Sequence, residues 1–177
     1  MNENAANKTG TVPAPSGASV TRVIQQPDGL GKRAGKKGEI TVIANLLPGG
    51  ARIFRERLAQ LQDEAWHYES MVGTVDNFRV FLFDNDTRMC ATVVYDGDFK
   101  PYLQDIFSKA AEWLDRIFVG VVEGFEGSNA PGTVDFIKQN AIETDLFFVS
   151  NPDLSVRDIA RMKRVSVAVS ELLDAAS

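Results

Sequence analysis

His67 is the only histidine in the sequence, and imidazole is the side chain that most readily exchanges protons near neutral pH. It lies in the segment DEAWHYES, between Trp66 and Tyr68, near the end of a predicted helix. There it could act as a general base or bind a haem iron. The alternative is a partly exposed histidine whose cationic form interacts favourably with the C-terminal end of the helix dipole.

A second set of candidates follows from the alternation of side chains along predicted strands. In the strand NFRVFLF, Arg79 shares one face with two phenylalanines, and Tyr95 ends the third predicted strand. Arg79 and Tyr95 join His67 as candidate catalytic residues. The predicted substrate-binding residues are Asn45, Phe81, Phe83 and Asn151. An apolar concave site with a few convergent polar groups is the usual form of a small-molecule pocket.

Catalysis in such a pocket would need groups that polarise a substrate oxygen and groups that transfer protons. Arg79 or Asn45 would polarise a substrate oxygen, and His67 or Tyr95 would move protons. The alternatives are structural, because Arg79 could form an ion pair at the surface or at an interface, whereas Asn45 and Asn151 could serve turns. We expect neither a metal nor a bound cofactor in this pocket.

Asp96 and Asp98 flank Gly97 after a β-branched run and before apolar residues at helical spacing. Two carboxylates without a nearby histidine or third carboxylate supply too few ligands for a cation such as Ca²⁺, which takes about six oxygens. We therefore interpret this segment as a strand-to-helix corner, with Asp98 capping the helix through its side chain. Cys90 is the only cysteine, which excludes an intramolecular disulfide, and its apolar strand indicates a buried thiol.

Charge is distributed unevenly along the chain. Residues 1–38 carry six lysines or arginines and two acidic residues, although the whole chain has a formal net charge of −5. The remainder is therefore acidic, which argues against nucleic-acid binding. The basic segment GKRAGKKG is interpreted as a solvated linker. No apolar run approaches the ~20 residues that span a bilayer, and no secretory signal is recognised, so we expect a cytoplasmic protein that does not bind membranes.

The pattern of elements predicts an α+β fold. Residues 1–38 are rich in small and polar residues and predict a disordered extension that could bind a protein partner, although SVTRVIQQ could dock as a short strand. Residues 39–177 predict one domain. Its expected strands are 39–46, 77–83, 88–95 and 143–150, and its expected helices follow Pro48, Asp98, Gly132 and Ser155. The Asx-rich segment DNDT predicts a tight turn that makes 77–95 a β-hairpin, and Ser155 with Asp158 predicts a capping box at the start of the last helix. This order is the ferredoxin-like β-α-β-β-α-β arrangement with extra C-terminal helices.

Several segments resemble an uncharacterised bacterial group of the dimeric α+β barrel superfamily. They are ITVIANLLPGGA, FRERL, FRVFLFDNDTRM, YDGDFKPYLQDIF, VEGFEG and FFVSNPDLSVRDIARMKR, and the resemblance covers about residues 39–174. It implies a homodimer in which two sheets pack across the interface, with a pocket between sheet and helices in each subunit. The superfamily includes cofactor-independent monooxygenases, polyketide cyclases, chlorite dismutases and dye-decolorising peroxidases.

Three functions remain open at this point. The first is binding of a small molecule by a dimeric α+β barrel, with cofactor-independent oxygenation or cyclisation as the chemistry if the protein is an enzyme. The second is a non-catalytic module that recruits a protein partner. The third is a haem-binding, peroxidase-like protein. His67 precedes the central strands, whereas the superfamily's haem enzymes place their proximal histidine on a helix after them.

Overall fold

A computed structural model describes residues 21–27 and 30–176. These residues form a mixed α+β fold of six strands and four helices, so the predicted α+β class is confirmed. In chain order the elements are β1 (Val23–Gln25), β2 (Lys32–Ala34), β3 (Lys37–Asn45), α1 (Gly50–Val72), β4 (Val75–Phe83), β5 (Arg88–Asp96), α2 (Phe99–Phe118), α3 (Thr133–Asn140), β6 (Ala141–Ile142) and α4 (Val156–Ala175). None of these helices is long and apolar enough to cross a membrane.

The six strands form one antiparallel sheet with the order β1-β2-β3-β5-β4. β5 lies between β3 and β4, and its register pairs Val93 with Ile40 on one side and Phe78 on the other. The other edge of β3 is shared, because β2 pairs with its first residues and β6 with its middle. The predicted hairpin of β4 and β5 is confirmed, and Asp84, Asn85 and Asp86 form its turn with positive φ angles, which Asx residues tolerate better than most.

One face of the sheet, the helix face, packs against α1 and α2. Alternate residues of β3, β4 and β5 point to this face, and Phe54 and Leu61 of α1 meet them in the core together with the apolar stripe of α2. Trp113 of α2 donates a hydrogen bond from Nε1 to the carbonyl of Leu61 at 3.0 Å. The opposite side, the outer face, carries Arg79, Phe81 and Phe83.

The corner predicted at Asp96-Gly97-Asp98 is confirmed, because β5 ends at Asp96 and α2 begins at Phe99. The predicted cap was wrong in its chemistry. Asp98 is the N-cap residue, yet its side chain accepts no backbone hydrogen bond. Its carboxylate pairs instead with the guanidinium of Arg33 on β2, a charged partner that competes better for a carboxylate than a backbone N–H does.

The strand predicted at 143–150 was also wrong. Only Ala141 and Ile142 pair with β3, and the residues that follow are not in the sheet. The reason is that two segments compete for the same edge of β3. Because β2 already pairs with Lys37 and Gly38, the segment after β6 cannot continue along that edge. The chain leaves the sheet at Thr144, whose hydroxyl donates to Glu39 Oε2 at 2.8 Å.

The basic segment interpreted as a solvated linker is built into the sheet. Residues 32–34 form β2, and Lys37 at the start of β3 is completely buried. Its Nζ lies 2.8 Å from Asp96 Oδ1 and 3.5 Å from Asp76 Oδ2. The interpretation failed because a buried lysine needs carboxylate partners that only the fold brings near. Residues 1–20, 28, 29 and 177 lie outside the described residues, so much of the predicted extension does too.

The last helix is fixed at its N-terminal end. The predicted capping box is confirmed, with Asp158 N donating to Ser155 Oγ and the backbone N of Ser155 donating to Asp158 Oδ2. Asp96 Oδ2 accepts from the backbone N of Val156 at 2.7 Å, and Lys36 Nζ lies 2.8 Å from Asp158 Oδ2. The hydrogen bonds from Lys36 and Ser155 hold the pKa of Asp158 well below its usual range.

Candidate ligand cavity

A cavity of about 100 Å³ lies between the helix face of the sheet, α2 and the segment 122–137. Its floor is formed by Ile40, Val42 and Ala44 of β3 with Ala91 of β5. Aromatic side chains surround the remaining space: Phe78, Phe99, Phe107, Phe118, Phe125 and Phe136. The lining is almost entirely apolar, which favours an apolar guest over water.

Small residues on the sheet leave this space open. Ala44 and Ala91 point to the helix face at positions where a larger side chain would fill the gap to α2. The facing side of α2 supplies Leu103, Phe107 and Leu114 at helical spacing. The cavity therefore arises from a size mismatch between small sheet residues and a helix that larger residues hold at a distance.

The far wall is a loop that is tied down at several points. The Ser128 backbone N and hydroxyl both donate to Asp115 Oδ1 on α2, at 2.6 and 2.7 Å. The backbone N of Glu123 donates to the carbonyl of Asn45 at 2.9 Å. Within the wall, the ring of Phe125 packs 5.4 Å from that of Phe118 and 5.6 Å from that of Phe136. These bonds and ring contacts give the cavity a defined shape.

Tyr102 is the only residue with a titratable side chain among those that line the cavity. Burial raises the pKa of Tyr102 above its usual value, and neighbouring Tyr95 raises it further. The two rings stack with centroids 4.0 Å apart. Tyr102 is thus the one titratable side chain among the described residues that line the cavity, and Ser128 and Thr92 are the other hydroxyl residues there.

The raised pKa of Tyr102 predicts a loss of stability in alkali. Above the unfolded pKa of about 10, the unfolded chain releases the Tyr102 proton whereas the folded protein keeps it, so the free energy of unfolding falls as pH rises. We expect Tyr102→Phe to flatten this fall between about pH 10 and pH 11.5, as measured by urea unfolding across that range. Equal slopes for the wild type and the variant would contradict the prediction.

The structure brings four of the residues predicted from the sequence onto one face. Asn45, Arg79, Phe81 and Phe83 all lie on the outer face, where Arg88 of β5 pairs with both Asn45 and Phe83. This face lies on the other side of the sheet from the cavity. Cys90 lies there too and is buried, as predicted, and burial raises the pKa of its thiol although Arg79 partly offsets the rise.

The other three predicted residues are elsewhere. Tyr95 is completely buried on the helix face, where Gln26 Nε2 donates to its hydroxyl at 2.8 Å, and its ring leaves no room for a side chain at Gly38. His67 is exposed on α1, and Asn151 is exposed in the loop before α4. The predicted residues therefore do not converge on one pocket.

The cavity was missed because its lining comes from residues that were read only as core or loop. By their spacing Phe107 and Leu114 belong to the apolar stripe of α2, and Phe125 lies between glycines in the sequence. A cavity depends on how residues distant in sequence meet, and spacing along the chain does not encode that distance. The one available signal in the sequence was the presence of three phenylalanines, Phe118, Phe125 and Phe136, in the stretch from the end of α2 to α3.

Within the described ranges, no cluster of three or more His, Cys, Asp or Glu side chains could hold a metal ion. No protein-family model matches the chain, and comparison with curated proteins and with solved structures gave no match. The functional argument therefore depends on the geometry of this chain alone.

Proposed function

We propose that this protein binds a small apolar molecule, of the size of a single aromatic ring or a short alkyl chain, in the cavity beneath α2. The observation that carries the proposal is the cavity itself, about 100 Å³ in volume and lined almost wholly by aliphatic and aromatic side chains. An apolar cavity of about 150 Å³ in another protein stays dry and binds benzene. The aromatic walls would contact such a ring, and the hydroxyl of Tyr102 offers a polar substituent one hydrogen-bond donor.

Binding is proposed ahead of catalysis. An oxygenase or cyclase needs a group that moves a proton at the substrate, and Tyr102 is the cavity's single titratable side chain. Arg79 and Asn45 lie on the other face of the sheet, and His67 is exposed on α1. If the protein is an enzyme, Tyr102 is the residue we propose to donate a hydrogen bond to the substrate.

We also propose the ferredoxin-like arrangement for the body of the fold. The elements β3, α1, β4, β5, α2 and β6 follow the order β-α-β-β-α-β along the chain, with α3 inserted before β6. The antiparallel pairing of β6 with β3, on the edge away from β5, supports this assignment. The short length of β6 is the departure from a regular four-stranded core.

The outer face of the sheet supports a homodimer. Phe81, on the edge strand β4, is 50% exposed, and Ile43, Cys90 and Val94 belong to the same face. These apolar side chains share the face with Asn45, Arg79 and Arg88, and they gain stability by packing against another layer. A second copy offers an identical face, which a two-fold axis makes self-complementary.

The ligand proposal predicts that filling the cavity abolishes binding. We expect benzene or phenol to raise the melting temperature of the wild type and to leave that of Ala91→Phe unchanged, because the new ring occupies the guest's place. The matched control is Leu146→Phe, which adds a ring at a position that is 88% exposed and lies outside the sheet, away from the cavity and the outer face. Differential scanning fluorimetry with each compound, followed by calorimetric titration, measures both effects.

A substitution by a smaller side chain, Ala91→Leu, tests the same proposal if Ala91→Phe does not fold. Ala91→Leu fills part of the cavity and should weaken binding by about tenfold or more while the protein stays folded, as near-ultraviolet circular dichroism would show. No binding of any small apolar compound by the wild type would overturn the proposal. Equal binding by Ala91→Leu and by the wild type would also overturn it.

A further inference from the structure

Among the residues that the structure describes, nothing covers the apolar side chains of α4 beyond Ala160, whereas Val156, Ile159 and Ala160 at its start are partly buried. From Arg161 to its end every residue is exposed, including six large apolar ones: Met162, Val165, Val167, Val169, Leu172 and Leu173. Its attachment lies in the first turn, at Ser155, Val156 and Asp158. A helix with three β-branched valines in its middle has modest intrinsic stability and normally depends on packing.

The apolar residues fall into a stripe with the spacing of a coiled coil. Met162, Val165, Val169 and Leu172 follow one another at intervals of three, four and three residues, which are the a and d positions of a heptad. Leu173 extends the stripe, whereas Val167 lies on the opposite side of the helix at about 100° per residue. Such a seam is complementary to another helix with the same seam.

Charge gives the pairing a direction. Arg161, Lys163 and Arg164 make the first half of the exposed helix basic, and Glu171 and Asp174 make the second half acidic. A parallel pair of α4 helices would place the two basic segments side by side, which costs energy. An antiparallel pair opposes the two helix dipoles. It also brings the basic half of each helix alongside the acidic half of the other, an attraction that acts at longer range because Lys163, Arg164, Glu171 and Asp174 lie on the side of the helix away from the seam.

We propose that α4 pairs with the α4 helix of a second copy of this chain in an antiparallel coiled coil. Met162 of each copy packs against Leu172 of the other, and Val165 against Val169, which gives four apolar layers about a two-fold axis near residue 167. The a position of one helix meets the d position of the other in every layer. The seam spans about 15 Å at 1.5 Å per residue, so it adds to a larger contact between copies and does not replace it.

Disulfide capture tests both the pairing and its direction. Met162→Cys and Leu172→Cys are made separately in the full chain carrying Cys90→Ala, and one of them carries a mass tag. On mild oxidation we expect the mixture to give a cross-linked species that contains both chains, because the two cysteines come within the roughly 7 Å between Cα atoms that a disulfide allows. Each variant alone should cross-link at least tenfold less, since identical positions lie about 15 Å apart along the axis.

Two further substitutions check that the seam is responsible. Val165→Glu in both cysteine variants should reduce the mixed cross-link at least tenfold, because it places a charge in the seam. Val167→Glu should leave it unchanged, and the two valines are matched at 56% and 57% exposed. Efficient cross-linking of Met162→Cys alone would overturn the antiparallel pair. Absence of the mixed cross-link, or its survival in Val165→Glu, would show that something other than a second α4 covers this stripe and would overturn the proposal.

Discussion

Lys37→Ala is expected to lower the free energy of unfolding by about 3 kcal/mol or more, because breaking a buried ion pair leaves an uncompensated charge in the interior. Lys37 is completely buried, and its Nζ contacts Asp96 at 2.8 Å and Asp76 at 3.5 Å. Asp96 is itself mostly buried and also holds the backbone N of Val156. The substitution therefore weakens the link between β3, β4, β5 and α4 at one point.

The neighbouring lysine provides a matched control. Lys36 forms an ion pair with Asp158 at 2.8 Å, but both partners are exposed to solvent. Exposed pairs are screened by water and contribute little, so Lys36→Ala should change stability far less than Lys37→Ala does. Urea unfolding of the three proteins at pH 7 measures the difference. Lys37→Met, which keeps the apolar stem, separates loss of charge from loss of packing.

Equal stability of Lys37→Ala and Lys36→Ala would contradict the role assigned to burial. A large loss in Lys37→Ala that Lys37→Met fully restores would assign the effect to the volume of the side chain and not to its charge. We expect Lys37→Met to remain clearly less stable than the wild type, since Asp96 and Asp76 still lose their cation.

The second large effect is expected in Phe81→Arg. If the outer faces of two copies pack together, the wild type should have twice the chain mass of 19.4 kDa, and a guanidinium in place of the Phe81 ring in that interface should give a monomer. Light scattering after size-exclusion chromatography measures the mass directly. At low micromolar concentration the short α4 seam is too small to hold two copies alone, so Phe81→Arg reports on the sheet face.

Phe148→Arg is the control for this experiment. Phe148 is 82% exposed and lies in the segment before α4, outside the sheet. It therefore tests the effect of replacing an exposed phenylalanine by arginine away from the proposed interface. A monomeric wild type, or a Phe81→Arg variant that keeps the dimer mass, would refute the packing of two outer faces. Loss of the dimer in Phe148→Arg as well would place the contact elsewhere.

The sequence predicted those elements whose signals are local. The helical spacing of apolar residues from Ile53 onward predicted α1, and the Asx-rich turn after Phe83 predicted the hairpin, because both depend on neighbours a few positions away. The capping box at Ser155 is local in the same sense. In the structure, α1, the hairpin and the capping box all lie where the sequence predicted them.

Features that depend on distant residues were mispredicted. The apolar run within 143–150 looked like a strand, but β2 had already taken the edge that this segment would need. Lys37 looked like part of a solvated linker because its partner Asp96 lies 59 positions away. The candidate site was predicted on the wrong face of the sheet for the same reason. Strand alternation shows that Arg79 and Phe81 share a face, but it does not tell which face borders the cavity.

The cluster around Lys37 also constrains the order in which the chain can fold. Asp96 bonds to Lys37 and to Val156, which are separated from it by 59 and 60 positions in opposite directions along the chain. Closing two loops of this length costs entropy that is recovered only when the contacts form. During synthesis Lys37 emerges first and keeps its hydration shell until Asp96 arrives, and Asp96 keeps an open acceptor until Val156 follows. We therefore expect the N-terminal end of β3 to be among the last parts of the sheet to exclude water, although it precedes most of the sheet along the chain.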